Sequence, residues 1–177
     1  MMPEFVRRVP DGHDRERLVC PDCSYVAYEN PKIVVGSVIH DGDSVLLCQR
    51  AIDPRRGFWT IPAGYMELGE TVAKGAEREA WEEARAKITI EGVLAVFSNE
   101  SPSEVQVIFR AKWAAPGFGP GPESLEVRKF AWEEIPWDEI AFPSVRWALE
   151  CWHDGRAEPL SAAILDATEQ RPVCPAA

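Results

Sequence analysis

The chain has 177 residues, is 46% hydrophobic with seven tryptophans, and carries a net charge of −10 from 19 basic and 29 acidic side chains. That length and composition exclude a disordered polymer and suit one domain with a sizeable core, while the acidic balance argues against a nonspecific surface for long nucleic acid or an anionic membrane. No apolar run reaches the roughly 20 residues of a membrane-crossing helix, and the N-terminal stretch MMPEFVRRVPDGHDRERL lacks the apolar segment of a secretory leader. Five scattered cysteines, Cys20, Cys23, Cys48, Cys151 and Cys174, do not form a disulfide framework, so a cytoplasmic protein with reduced thiols is expected.

In chain order, residues 33–39 (IVVGSVI) and 44–50 (SVLLCQR) predict two strands joined by the turn His40-Asp41-Gly42-Asp43. A short strand is expected over 58–62, then a helix over 72–84 with Thr71 as its N-cap. Strands follow over 88–97 and 105–113, then a Pro/Gly-rich loop over 116–124 (PGFGPGPES) and a strand over 127–133. An amphipathic helix over 144–152 turns Trp147, Leu149 and Trp152 to the core. Strands, helix, strands, helix imply an α+β fold, a mixed sheet packed between helices. The expected division is an N-terminal segment over 1–32, the main domain over 33–153 and a C-terminal tail over 154–177. Cys48 reads as a small buried strand residue, and His40 and His153 have no spacing that suggests catalysis.

The most informative stretch is GYMELGETVAKGAEREAWEEARA, from Gly64 to Ala86, which sets Glu79, Glu82 and Glu83 at i, i+3 and i+4 near the end of the predicted helix. All three carboxylates then share one face. Like charges at these spacings cost roughly 0.2 to 0.5 kcal/mol per pair, and anions are disfavoured at the negative end of a helix. A hard divalent cation such as Mg²⁺ or Mn²⁺ reverses both penalties and leaves coordination positions for phosphate oxygens.

The stretch resembles the Nudix box: Gly64, Glu70, Arg78-Glu79, Ala80 and Glu82-Glu83 fill the pattern at its spacing, and Arg85 replaces the closing glycine before Ala86. The resemblance implies the Nudix fold, an α/β/α sandwich. It also implies that Glu70 pairs with Arg78 to pin the loop to the helix, and that Glu79, Glu82 and Glu83 bind metal with a backbone carbonyl at Ala63 or Gly64. The implied chemistry is hydrolysis of a phosphoanhydride. The general base is expected on a loop outside the box, at Glu126 or Glu123, with Glu126 preferred. A left-handed residue with a Cβ costs roughly 1 kcal/mol or more, so Arg85 bears on the geometry of the turn after the helix.

Outside the box, VPDGHDRERLVCPDCSYVAYENPKIVVGSVI and APGFGPGPESLEVRKFAWEEIPWDEIAFPSV are similar to the zinc-ribbon-associated FAD and ADP-ribose pyrophosphatase subgroup, and Pro102 lies sixteen residues after Ala86, a spacing of ADP-ribose-hydrolysing members. The resemblance covers roughly residues 5 to 153. It implies cleavage of a small ADP-linked diphosphate to AMP and a phosphate ester, and a homodimer. Other readings within the family are a nucleoside triphosphate, NADH or capped-RNA pyrophosphatase. A binding module that no longer turns over typically loses a box glutamate, and none is lost here.

The subgroup's zinc ribbon uses two Cys-x-x-Cys pairs. Here Cys20 and Cys23 form one, and a complete Zn²⁺ site within one subunit is not expected unless His13 or a second subunit contributes. Substrate contacts are expected from Arg50, Arg55 and Arg56 to phosphate oxygens, and from Trp59, beside Phe58, to a stacked base.

Overall fold

The structure, a computed structural model, describes residues 4–155 and 164–165. Residue contacts divide the chain into two compact units, one ending at Pro31 and one beginning at Lys32.

In the first unit, β1 (Val6–Arg8), β2 (Arg17–Val19) and β3 (Val26–Ala27) form a three-stranded antiparallel sheet, with Val6 opposite Val19 and Leu18 opposite Ala27. Strands this short carry no readable period, so the sequence predicted none of them. Cys20 to Ser24 make the turn between β2 and β3: the Ser24 amide donates to the Cys20 carbonyl at 2.9 Å, and Ser24 itself is left-handed at φ 60°.

The second unit is built on an eight-stranded mixed sheet. Its main strands are β4 (Lys32–His40), β5 (Ser44–Arg50), β8 (Ile88–Asn99), β9 (Glu104–Trp113), β10 (Ser124–Ala131) and β11 (Ile164–Leu165), in the order β10-β5-β4-β9-β8-β11. Two short strands, β6 (Trp59–Thr60) and β7 (Ala63–Tyr65), pair with β5 and β4 off that path. β4 runs parallel to β9 and antiparallel to β5.

Two helices cover the two faces, and the strand period assigns residues to each. On one side, Val35, Ile39, Leu46 and Cys48 pack with Ala76, Ala80 and Ala84 of α1 (Val72–Ala84). On the other, Val38, Val45, Leu47 and Phe97 pack with Val145, Ala148, Leu149 and Trp152 of α2 (Pro143–Gly155). Burial on both faces is why β4 and β5 read as continuous apolar runs. The alanines spaced every four residues let α1 sit close to the sheet without loss of helix propensity.

Three expectations are corrected. The strand over 58–62 shrinks to β6 at Trp59–Thr60, and β7 starts only at Ala63, because Pro62 has no N–H to donate and the chain crosses there from β5 to β4. The crossing is tight: a Cβ on Gly36 would lie 2.5 Å from the Ala63 Cβ. The strand over 127–133 begins earlier, at Ser124, and ends at Ala131, since Trp132–Glu134 form a 3-10 turn. Trp59 is no stacking platform: it is 6% exposed, with its ring edge-on to Phe130 at 4.8 Å in the α2-side core. The expected tail over 154–177 lies mostly outside the described residues.

Candidate active site

The site starts at β7. Its neighbour β4 places Ala63 and Gly64 beside the sheet, the chain loops over residues 66–71, and α1 begins with the Thr71 hydroxyl accepting from the Lys74 amide at 3.2 Å. Within the loop, Glu70 accepts from Arg78 Nε at 3.1 Å, from Arg78 Nη2 at 2.9 Å and from the Glu67 amide at 2.7 Å. This bidentate pair holds the Glu70 carboxyl well below the usual carboxylate range. Arg78 Nη2 also donates to the Tyr65 carbonyl at 3.0 Å, so one guanidinium ties strand, loop and helix together.

The same guanidinium reaches the acidic face. Its Nη1 donates to Glu79 Oε1 at 2.6 Å and to Glu82 Oε2 at 2.9 Å. Glu79 lies against Gly64, where an added Cβ would come within 2.4 Å of the carboxylate. That close approach is what the first glycine of the stretch provides. Glu83 is 7% exposed and accepts from the Ala63 amide at 3.0 Å. Burial pushes its carboxyl up to about 8, with the neighbouring Glu79 adding to the rise and the Ala63 amide opposing it. Burial also raises Glu79, against the pull of Arg78.

These groups line a cavity of about 600 Å³, shared with Arg50, Tyr65, Glu67, Glu82, Arg85 and Glu123. Arg50 lines the cavity from the end of β5, its Nε donating to the Pro54 carbonyl at 2.8 Å. Glu123 is delivered by the Pro/Gly loop, which clamps the end of α1. The Gly119 amide donates to the Ala84 carbonyl at 2.9 Å, the Gly121 amide donates to the Glu83 carbonyl at 3.0 Å, and the Glu123 carbonyl accepts from the Ala51 amide at 2.8 Å. Carbonyls left over at the helix C-terminus are thus satisfied by a loop that carries a carboxylate.

Other sequence candidates fall elsewhere. Glu126 lies on β10 opposite Gln49, exposed and outside the cavity lining. Arg55 lies over the Phe58 ring at 5.2 Å, and neither it nor the exposed Arg56 lines the cavity. Pro102 sits in the turn between β8 and β9. His40 is a fixed structural imidazole: the Gly42 amide donates to Nδ1 at 3.2 Å and Nε2 lies 2.9 Å from Glu91. Five lining residues, Ile52, Tyr65, Glu67, Arg85 and Pro122, were given no site role from sequence. Arg85 was visible as the departure from glycine, and it takes the left-handed turn regardless, at φ 51° and ψ 22°, its amide bonding to the Ala80 and Trp81 carbonyls.

The donor set fits a hard divalent cation: three carboxylates and the Ala63–Gly64 backbone edge one cavity, and among the described residues buried Glu83 has no cationic hydrogen-bond partner. Among the described residues no three such side chains already converge at metal-ligating spacing, since Arg78 Nη1 stands between Glu79 and Glu82. A structural zinc fits less well. Backbone amides of Cys23 and Asp22 favour the Cys20 thiolate, as a knuckle requires, yet the turn supplies two of the four ligands and His13 lies beside Tyr28 instead, its Nε2 3.4 Å from the hydroxyl.

The NUDIX domain family matches residues 30–148, and a zinc-ribbon family described as Nudix N-terminal matches residues 3–29. A NUDIX hydrolase from Nitrosomonas europaea superposes with a TM-score of 0.87 at 44% identity, covering 93% of each chain. The 8-oxo-dGDP phosphatase NUDT18 of Homo sapiens is 39% identical over 80 residues, 45% of this chain and 24% of that protein. The ADP-ribose pyrophosphatase of Methanocaldococcus jannaschii is 32% identical over 75 residues, 42% of this chain and 44% of that protein. The matches span less than two-thirds of these two curated relatives' own lengths.

Proposed function

This chain belongs to the Nudix hydrolase family, and we propose that it hydrolyses the diphosphate linkage of an ADP-linked nucleotide, ADP-ribose or FAD, to AMP and a second phosphate ester. The observation that carries this reading is the set of box carboxylates, two of them buried, lining a cavity large enough for a nucleotide with arginines beside them. Similarity to the archaeal ADP-ribose pyrophosphatase supports the substrate class.

Glu79, Glu82 and Glu83, with the backbone carbonyl of Ala63 or Gly64, are the groups that would hold Mg²⁺ or Mn²⁺. The chemistry such a cation supplies when bound is neutralisation of phosphoryl charge and acidification of water. Arg50 binds phosphoryl oxygens. Glu123 faces the cavity from a clamped loop, and it rather than Glu126 takes the proton of the attacking water. The water oxygen bonds to one phosphorus, the bridging P–O bond breaks, and its electron pair leaves with the departing phosphate ester.

A second reading, cleavage of a nucleoside di- or triphosphate, is supported by the similarity to human 8-oxo-dGDP phosphatase. The test is AMP release from ADP-ribose and FAD beside NADH and nucleoside di- and triphosphates, each with Mg²⁺, with Mn²⁺ and with chelator. Metal-dependent AMP from ADP-ribose or FAD is expected. Turnover confined to nucleoside di- or triphosphates would move the substrate class, and tight binding without turnover would make the protein a nucleotide sensor.

A further inference from the structure

We propose that Arg85 is a substrate-binding residue, its guanidinium receiving phosphoryl oxygens of the bound diphosphate; this rests on the diphosphate reading above. Among the described residues three arginines line the cavity. Arg78 is committed at every nitrogen, to Glu70, Glu79, Glu82 and the Tyr65 carbonyl. Arg50 is committed at Nε, and its guanidinium lies 5.2 Å from the Phe142 ring. Arg85 makes one long bond, Nη1 to the Trp81 carbonyl at 3.4 Å, with Cζ 5.7 Å from the half-exposed Trp81 ring. Among the described residues it forms no salt bridge, although Glu82, Glu83 and Glu123 line the same cavity.

Its backbone strengthens the argument. At φ 51° a glycine would fit without strain, whereas any side chain is penalised. Strain kept at a cavity wall points to a use for the side chain that causes it. The need is evident from charge: Glu67, Glu79, Glu82, Glu83 and Glu123 surround the space an anionic diphosphate must enter, and Arg78 is already saturated. The competing role is a helix cap, with a cation favoured at the negative end of α1. The two roles predict different outcomes when the side chain is removed.

Arg85→Gly and Arg85→Lys are compared with wild type in ADP-ribose kinetics with Mg²⁺, in calorimetric titration with the nonhydrolysable α,β-methylene-ADP, and in thermal unfolding. Losing a charge-assisted phosphate contact weakens binding by roughly tenfold or more. Arg85→Gly is therefore expected to raise KM and Kd about tenfold, with little change in kcat and no fall in Tm, and Arg85→Lys to recover part of the loss. KM and Kd within about twofold of wild type in Arg85→Gly, or a Tm loss that tracks the kinetic loss, would overturn the proposal. A wild-type protein that binds α,β-methylene-ADP but turns over no diphosphate refutes the hydrolase reading alone, and Arg85 is then judged by Kd. Absence of both turnover and binding in the wild type refutes both.

Discussion

Replacing Gly121 with alanine puts a methyl group 1.6 Å from the Glu82 carbonyl oxygen and 2.8 Å from its carbon. Both are backbone atoms at the end of α1, so no side chain can swing aside, and the loop must lift. Lifting breaks the Gly121 amide bond to Glu83 and strains the Gly119 amide bond to Ala84. At about 0.5 to 1.5 kcal/mol net per hydrogen bond, the loss of stability is about 1 to 3 kcal/mol. The effect on catalysis is larger, because Glu123 lies two residues further along the lifted loop: a displacement near 1 Å of a catalytic group costs on the order of 10²-fold in kcat. Gly119→Ala is the internal control, since no heavy atom lies within 4 Å of its added Cβ. Guanidinium unfolding and steady-state kinetics on both variants test the argument. Wild-type stability and kcat in Gly121→Ala, or equal damage in Gly119→Ala, would refute the reasoning.

Glu82→Gln and Glu83→Gln are expected to lower kcat by orders of magnitude with the fold retained by circular dichroism; full activity in both would remove the metal-site assignment. Because the folded Glu83 carboxyl sits at about 8, above its ordinary 4.5, its stabilising contribution is present below pH 4.5 and lost as pH rises toward 8. Chelated wild type should lose Tm across that window, and Glu83→Gln should lose less. Glu91 has the opposite sign: burial raises its pKa, but Lys112, His40 and Arg110 outweigh it and hold the folded carboxyl at about 2. Its contribution is present above pH 4.5 and disappears toward pH 2, so Glu91→Gln should destabilise the protein at pH 7 by about 1 to 2 kcal/mol after allowance for screening and flatten the acid limb of the unfolding curve.

The box helix was legible to the residue because its alanine stripe, its Thr71 cap and its acidic face all report the same period. The sheet was legible where strands bury both faces, as in β4 and β5, and less so where tertiary contacts set the ends: β8 runs on to Asn99 against β9. Which of the two loop acids reaches the cavity was not legible in the residue pattern: Glu123, just before β10, lines it, whereas Glu126 lies on the strand beyond an irregularity between Ser124 and Glu126 and does not. Trp59 is placed by contacts outside its own segment: pairing with β5 and the bridge to Ile140 accompany a buried indole, which its alternating apolar flanks are consistent with and its aromatic character alone does not reveal.

The parallel pairing of β4 with β9 has a consequence for how the site is assembled. Lys32 to His40 align with Glu104 to Lys112, and the box, β5 and α1 all lie in the long stretch of chain between them. The ends of that stretch must meet before the α1-side core has its floor, and closing so long a loop costs conformational entropy. A peptide cut out around the box would carry every acidic residue of α1 but lack the strands that bury Glu79 and Glu83. Synthesis on the ribosome meets the same constraint: the pocket cannot close until residues far downstream of the last carboxylate of α1 have emerged.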